Sequence, residues 1–133
     1  MSTLTAGQEL PEQSFQVRRS DLIRYAGASG DFNPIHWSDR IATQVGLPGV
    51  IAHGMFTMAL AARAVAAWTE GAEVVEFGCK FTNPVVVPDD DQGVVVVFTG
   101  TVKEVADGLA TIVIDARCGE AKVLGMPKAV VRA

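Results

Sequence analysis

One stretch of this chain limits its fold more than any other. From Met55 to Ala67 every position except Thr57 and Arg63 is apolar. Read as a helix from about His53 to Trp68, the segment is about 24 Å long. It is hydrophobic on every face, which predicts burial all round. It is also too short, and too interrupted by Arg63, to span a bilayer. Its many alanines let a sheet backbone approach closely. The rest of the chain must therefore supply a sheet that wraps the helix.

The downstream sequence reads as that sheet. Val75, Phe77, Cys79 and Phe81 alternate with Glu76, Gly78, Lys80 and Thr82, the period of a half-buried strand. Val94 to Phe98 is a β-branched run that extends toward Val105. Beyond it, Ala110, Ile112, Ile114 and Ala116 alternate with Thr111, Val113, Asp115 and Arg117. Asp107-Gly108 between these two runs signals a tight hairpin. A last strand, about Lys122 to Val131, contains Pro127, which predicts an edge or a bulge. Phe15 to Val17 adds a short strand near the start. Two short helices lie upstream of the long one. The first covers Ser20 to Ala28, capped by Ser20 and ended by Gly27 and Gly30. The second runs from a Ser38 cap to about Val45 and is closed by Gly46. The order predicts an α+β fold in one domain, residues 1–133, with a curved antiparallel sheet around a central helix.

Charge and cysteine content narrow the function classes. The formal net charge is -4, and the longest like-charge run is Asp89-Asp90-Asp91. No basic stripe suggests nucleic-acid binding. Cys79 and Cys118 have no metal-ligand spacing and read as buried reduced thiols. The first fifteen residues lack the basic and apolar regions of a secretory signal, so a cytoplasmic location is expected.

Two patches carry the chemistry. The first runs from Tyr25 to His36 and contains Ser29-Gly30-Asp31-Phe32-Asn33-Pro34-Ile35-His36. Adding water to a C=C conjugated with a carbonyl needs a base for water, an acid for the α-carbon and a donor for the enolate-like oxygen. Asp31 and His36 are candidates for the first two roles. Pro34 prevents a continuous helix, so a bent loop can turn both side chains to one point. Gly-Asp and Asn-Pro are also plain turn-formers. The second patch, Ile51-Ala52-His53-Gly54-Met55, opens the long helix. First-turn N–H groups lack internal partners and sit at the positive end of the dipole, and Gly54 lets a ligand oxygen come close. Alternatively, Gly54 serves tight packing and His53 is a hydrogen-bonded core histidine. A metal site of Asp31, His36 and His53 lacks recognised ligand spacing.

Together these residues resemble the MaoC-like (R)-specific enoyl-thioester hydratase and (3R)-hydroxyacyl-thioester dehydratase family. That family's motif runs from an aromatic residue, here Tyr25, through Gly30-Asp31-x-Asn33-Pro34-Ile35-His36 to a small residue, here Ala42. His53-Gly54-Met55 and Phe81-Thr82-Asn83-Pro84-Val85 are also similar to family segments. The resemblance implies the hot-dog fold and a hydro-lyase activity in fatty-acid metabolism. Asp31 and His36 would then be catalytic, Gly54 N–H would hold the thioester carbonyl, and Asn33 would orient the loop. No metal or redox cofactor is implied. The acyl thioester would be carried by CoA or an acyl-carrier protein, with Lys80 and Arg63 as candidate phosphate-binding cations. The partner would be a second hot-dog subunit, in a homodimer or a heterodimer. The chain also looks similar to the small catalytic β-type subunit of actinobacterial (3R)-hydroxyacyl-carrier-protein dehydratases. Two features depart from the family pattern. Ala59-Leu60-Ala61-Ala62 lacks a serine that supports the carbonyl site in CoA-specific members, and Pro88-Asp89-Asp90 replaces Pro-Gly-Asp. A hot-dog thioesterase and a non-catalytic hot-dog subunit are the alternatives.

Overall fold

In the computed structural model, which describes residues 3–133, the first strand, β1 (Glu9–Val17), leads into helix α1 (Arg19–Ser29). A 3-10 turn (Pro34–His36) and α2 (Asp39–Gln44) precede the long helix α3 (Gly54–Thr69). The remaining strands follow it: β2 (Val74–Phe81), β3 (Val94–Ala106), β4 (Leu109–Cys118), the two-residue β5 (Ala121–Lys122) and β6 (Leu124–Arg132). They form one antiparallel sheet in the order β1-β3-β4-β6-β2, with β5 beside β4. Helix α3 contacts β1 and β2, which are the two edges of that path, and β6. A flat sheet would hold its edges about 19 Å apart at the usual strand spacing. A sheet that curves around the helix brings both edges to it. The α+β hot-dog architecture expected from the resemblance is the one present.

The β3–β4 hairpin turns where Asp107-Gly108 predicts it. Asp107 (φ 55°) and Gly108 (φ 76°) both take the left-handed conformation, whose twist matches that of the flanking strands. In β4, Ala110, Ile112, Ile114 and Ala116 point inward onto one continuous core that includes Phe98, Val65 and Leu22. Pro127 lies in a bulge and not at an edge. β6 is paired on both sides, and Met126 beside the proline takes a positive φ of 46° where the β2–β6 register shifts. Cys79 and Cys118 are free thiols, half-buried rather than buried, and burial pushes the pKa of both upward.

Three expectations need correction. Helix α3 is not covered on every side. Thr57, Leu60, Ala61, Ala64, Val65 and Trp68 are buried, while Met55, Ala59, Ala62, Ala66 and Ala67 are exposed, because one chain supplies a sheet for only one face. Ser20 does not cap α1, and Gly27 does not end it. The helix starts one residue earlier, with Arg18 at the cap, and Asp21 Oδ2 accepts the Arg18 N–H at 2.8 Å. Gly27 continues the helix, which stops at Gly30, where φ is 78°. Asp21→Ala should therefore lower stability by about 1 kcal/mol, the usual worth of a helix cap. Ser20→Ala should change it by less than about 0.5 kcal/mol. Paired denaturant melts of the two variants check this.

Candidate active site

The loop after α1 is shaped by its own side chains. Ser29 Oγ accepts the Asp31 N–H at 3.1 Å, Asp31 Oδ1 accepts the Asn33 N–H at 3.2 Å, and Asn33 Oδ1 accepts the Ile35 N–H at 3.2 Å. Asn33 thereby caps the 3-10 turn that carries His36, with Pro34 at its first position. Trp37 Nε1–H donates to Phe32 O at 3.0 Å and closes the loop from outside. The turn is tied to the segment leading into α3 by Ile51 N–H on Ile35 O, 3.1 Å. That segment pairs in turn with residues 85–87 through Ala52 N–H on Val85 O and Val87 N–H on Val50 O. Asp39 reinforces the corner. Its Oδ1 accepts the Val50 N–H at 3.0 Å and its carboxylate bridges Arg19, and these contacts hold its pKa below the usual range.

His36 is buried, and its Nδ1 lies 2.7 Å from Ile51 O. A carbonyl only accepts, so Nδ1 carries the proton, and in the neutral ring Nε2 presents a lone pair. That atom lies 4.0 Å from Asp31 Oδ2, whose side chain is 52 % exposed. The loop thus brings the two side chains together as the sequence suggests. His53 is 2 % exposed. Its ring stacks on His36 with centroids 3.7 Å apart, and its Nε2 lies 3.1 Å from Asp31 O. Burial lowers its pKa, and the bond to Asp31 O partly opposes that shift.

Gly54 is the first residue of α3. The first N–H groups to bond back toward the helix start are those of Phe56 and Thr57, both on His53 O. The Gly54 N–H is thus free of the helix ladder. A cavity of about 410 Å³ opens beside it, lined by His36, Gly54, Thr57, Phe81 and the apolar side chains of Ile51 and Val85, among others. Residues 3–117 match the family model described as the MaoC like domain. The chain belongs to the MaoC-like family.

The MaoC-like chain is 39 % identical over 80 residues to 3-hydroxyacyl-thioester dehydratase X of Mycobacterium tuberculosis (strain ATCC 25618 / H37Rv). The aligned part is 59 % of this chain and spans only 27 % of that protein. Among solved structures, a MaoC-like dehydratase superposes with a TM-score of 0.92 at 37 % identity, covering 97 % of this chain and 40 % of that one. The (R)-hydratase from A. caviae involved in PHA biosynthesis shares the fold, with a TM-score of 0.86 at 23 % identity, covering 99 % of this chain and 98 % of the other.

The sequence reading assigns no site role to two lining residues of this MaoC-like site, Thr57 and Phe81, although Phe81 opens a family-like segment. Thr57 lies one turn beyond Gly54 and is buried, and its hydroxyl has no hydrogen-bond partner among the described residues. Thr43 and Thr69 instead return theirs to a carbonyl four residues back. Phe81 places its ring 3.0–3.1 Å from where a Gly54 Cβ would stand. Thr57 sits inside an apolar run, where a threonine gives no signal of its own. Arg63, a candidate phosphate ligand, instead stands 4.9 Å over the Phe15 ring. Asp31, His36 and His53 hold potential ligand atoms within 4.8 Å of one another. The two imidazoles are stacked, however, so their in-plane lone pairs run nearly parallel, and one ion cannot lie in both planes.

Proposed function

We propose that this chain is a hydro-lyase that interconverts trans-2-enoyl and (3R)-3-hydroxyacyl thioesters, with CoA or an acyl-carrier protein as the carrier. The observation that carries the reading is the pair of acceptors, Asp31 Oδ2 and His36 Nε2, 4.0 Å apart, with His36 and Gly54 both lining an apolar cavity. One water oxygen, about 2.8 Å from each acceptor, can direct one hydrogen to each of them.

In the hydration direction the enoyl carbonyl lies on Gly54 N–H, at the positive end of α3. The water oxygen bonds to C3 while its proton passes to His36 Nε2. The electron pair of the C=C moves toward the carbonyl, whose growing negative charge Gly54 N–H holds. The Asp31 carboxylate orients the water and faces the imidazolium. The proton then moves from Nε2 to C2, and both side chains return to their starting states. Asn33 shapes the loop through its bond to Ile35 N–H. The relatedness to 3-hydroxyacyl-thioester dehydratase X supports this reaction class. The reading fails if purified chain incubated with crotonyl-CoA leaves the conjugated double bond intact. Release of free thiol instead would identify a thioesterase.

Two surface features support a second hot-dog protomer, identical or not. The open face of α3 is alanine with Met55, which is 54 % exposed, and one charge, Arg63. The edge strand β2 exposes Val74 and Val75 at 41 % each. An exposed apolar edge of this kind is normally paired or covered. A dimer in sedimentation velocity is the expected result, and an active monomer is the opposing one. No helix among the described residues is long and apolar enough to cross a membrane.

A further inference from the structure

His53 touches both members of the acid–base pair in different ways. Its Nε2 lies 3.1 Å from the main-chain carbonyl of Asp31, and its ring face lies against the ring of His36, centroids 3.7 Å apart and planes 21° from parallel. The ring of Tyr25 also packs on His53, centroids 4.8 Å apart and planes 62° from parallel. Because Asp31 O only accepts, Nε2 must carry the proton. Nδ1 then has no hydrogen, and it is buried with no partner among the described residues. A second proton there would have no acceptor, so the ring is held neutral in a single tautomer. Burial acts in the same direction and lowers the pKa of this ring.

This arrangement suits a reference point better than a reacting group. The one ring nitrogen that faces the loop is spent on Asp31 O, and the other, Nδ1, is buried. Asp31, by contrast, lies on an exposed loop whose other fixings, to Ser29 and Asn33, are local. Among the described residues, only the bond to His53 ties the Asp31 main chain to the buried end of α3. The stacking contact ties His36 to the same ring. Both members of the pair thus share one buried imidazole as a common contact.

We infer that His53 is a positioning residue, which fixes Asp31 relative to His36 through a neutral Nε2–H on Asp31 O and a stacked ring face. The inference rests on the hydro-lyase reading, and its test separates the two.

Two substitutions divide the ring from its donor. His53→Phe keeps an aromatic ring but loses the N–H. His53→Gln loses the ring but places an amide N–H at a reach similar to Nε2. With crotonyl-CoA, His53→Phe should lower kcat by about 10–100-fold, the scale of a misplaced catalytic group. KM should stay within about 3-fold, since no substrate contact is removed. His53→Gln should recover most of that loss even if it melts at a lower temperature. A role in packing alone gives the opposite order, with Phe the better replacement, and that result overturns the inference. Should His53→Phe fail to melt cooperatively, a kcat in His53→Gln close to wild type supports the inference and a large loss overturns it. Nitrogen-15 spectra of the wild-type imidazoles at neutral pH give a readout independent of activity. A neutral Nε2–H form of His53 is expected, and an Nδ1–H form or a charged ring overturns the assignment. If the wild type does not hydrate crotonyl-CoA, the reaction proposal falls, and the ring spectra still decide whether His53 holds Asp31.

Discussion

Asp31→Asn and His36→Ala should each lower turnover on crotonyl-CoA by about 10²–10⁴-fold, the usual contribution of a positioned acid–base group. The two losses have different physical origins. In Asp31→Asn, the amide oxygen can keep accepting the Asn33 N–H, now received by Oδ1 at 3.2 Å. The amide NH₂ then takes the place of Oδ2, 4.0 Å from His36 Nε2. An acceptor facing the water becomes a donor facing the base, and its hydrogen competes for the lone pair that should take the water proton. His36→Ala removes that lone pair outright. It also strips Ile51 O of its donor and His53 of its stacking partner, so some stability is lost. Leaving a fully buried carbonyl unpaired costs about 1–3 kcal/mol, and the half-buried Ile51 carbonyl should cost less. His36→Asn controls for this loss, because its side-chain N–H can reach Ile51 O where Nδ1 does, at 2.7 Å. If it melts like the wild type yet turns over as slowly as His36→Ala, the lost rate belongs to Nε2. Near-normal turnover in any of these folded variants would remove that residue from the mechanism.

Gly54→Ala and Gly54→Pro should reduce kcat/KM by about 10²–10³-fold if the Gly54 N–H holds the thioester oxygen, as loss of one oxyanion donor does elsewhere. The interaction strengthens as negative charge grows on that oxygen, so the loss should fall mainly on kcat. In Gly54→Ala the added methyl would stand 3.0–3.1 Å from the Phe81 ring. That is too close, but Phe81 is 55 % exposed and can move aside. The protein should fold, with the methyl and the displaced ring crowding the carbonyl. Gly54→Pro deletes the donor itself at the first position of α3, where proline is tolerated and no helix bond is lost. A glycine needed only for packing would show the reverse pattern, with a lowered melting temperature and ordinary turnover. Two variants that fold and keep full activity would place the carbonyl elsewhere.

Much of the architecture is legible because it follows from local periodicity. The β4 alternation, the Asp107-Gly108 hairpin, the Ser38 cap of α2 and the apolar run of α3 each encode an element in neighbouring residues. The loop chemistry is legible for the same reason. Asp31, Asn33 and Pro34 shape their own turn, and that turn carries His36 to the Asp31 side chain. The misreadings come where two local signals compete. Ser20 is a better cap than Arg18 by type, but the Asp21 carboxylate reaches back to the Arg18 N–H and moves the cap two residues earlier. Pro127 allows either an edge or a bulge, and only the strand order decides.

By itself, then, the sequence determined the elements, the curved-sheet class and the loop that pairs Asp31 with His36, because each depends on contacts between residues close along the chain. The tertiary structure decided the rest. It left one face of α3 uncovered, which no periodicity in a uniformly apolar run could reveal. It set the Thr57 hydroxyl and the Phe81 ring beside Gly54, from two elements that meet only when the sheet closes on the helix. It also stacked His53 on His36 and bound it to Asp31 O, a contact across 22 residues that requires the start of α3 to dock under the loop. Local patterns carry information about turns and faces. Which faces meet is settled by burial of the whole core.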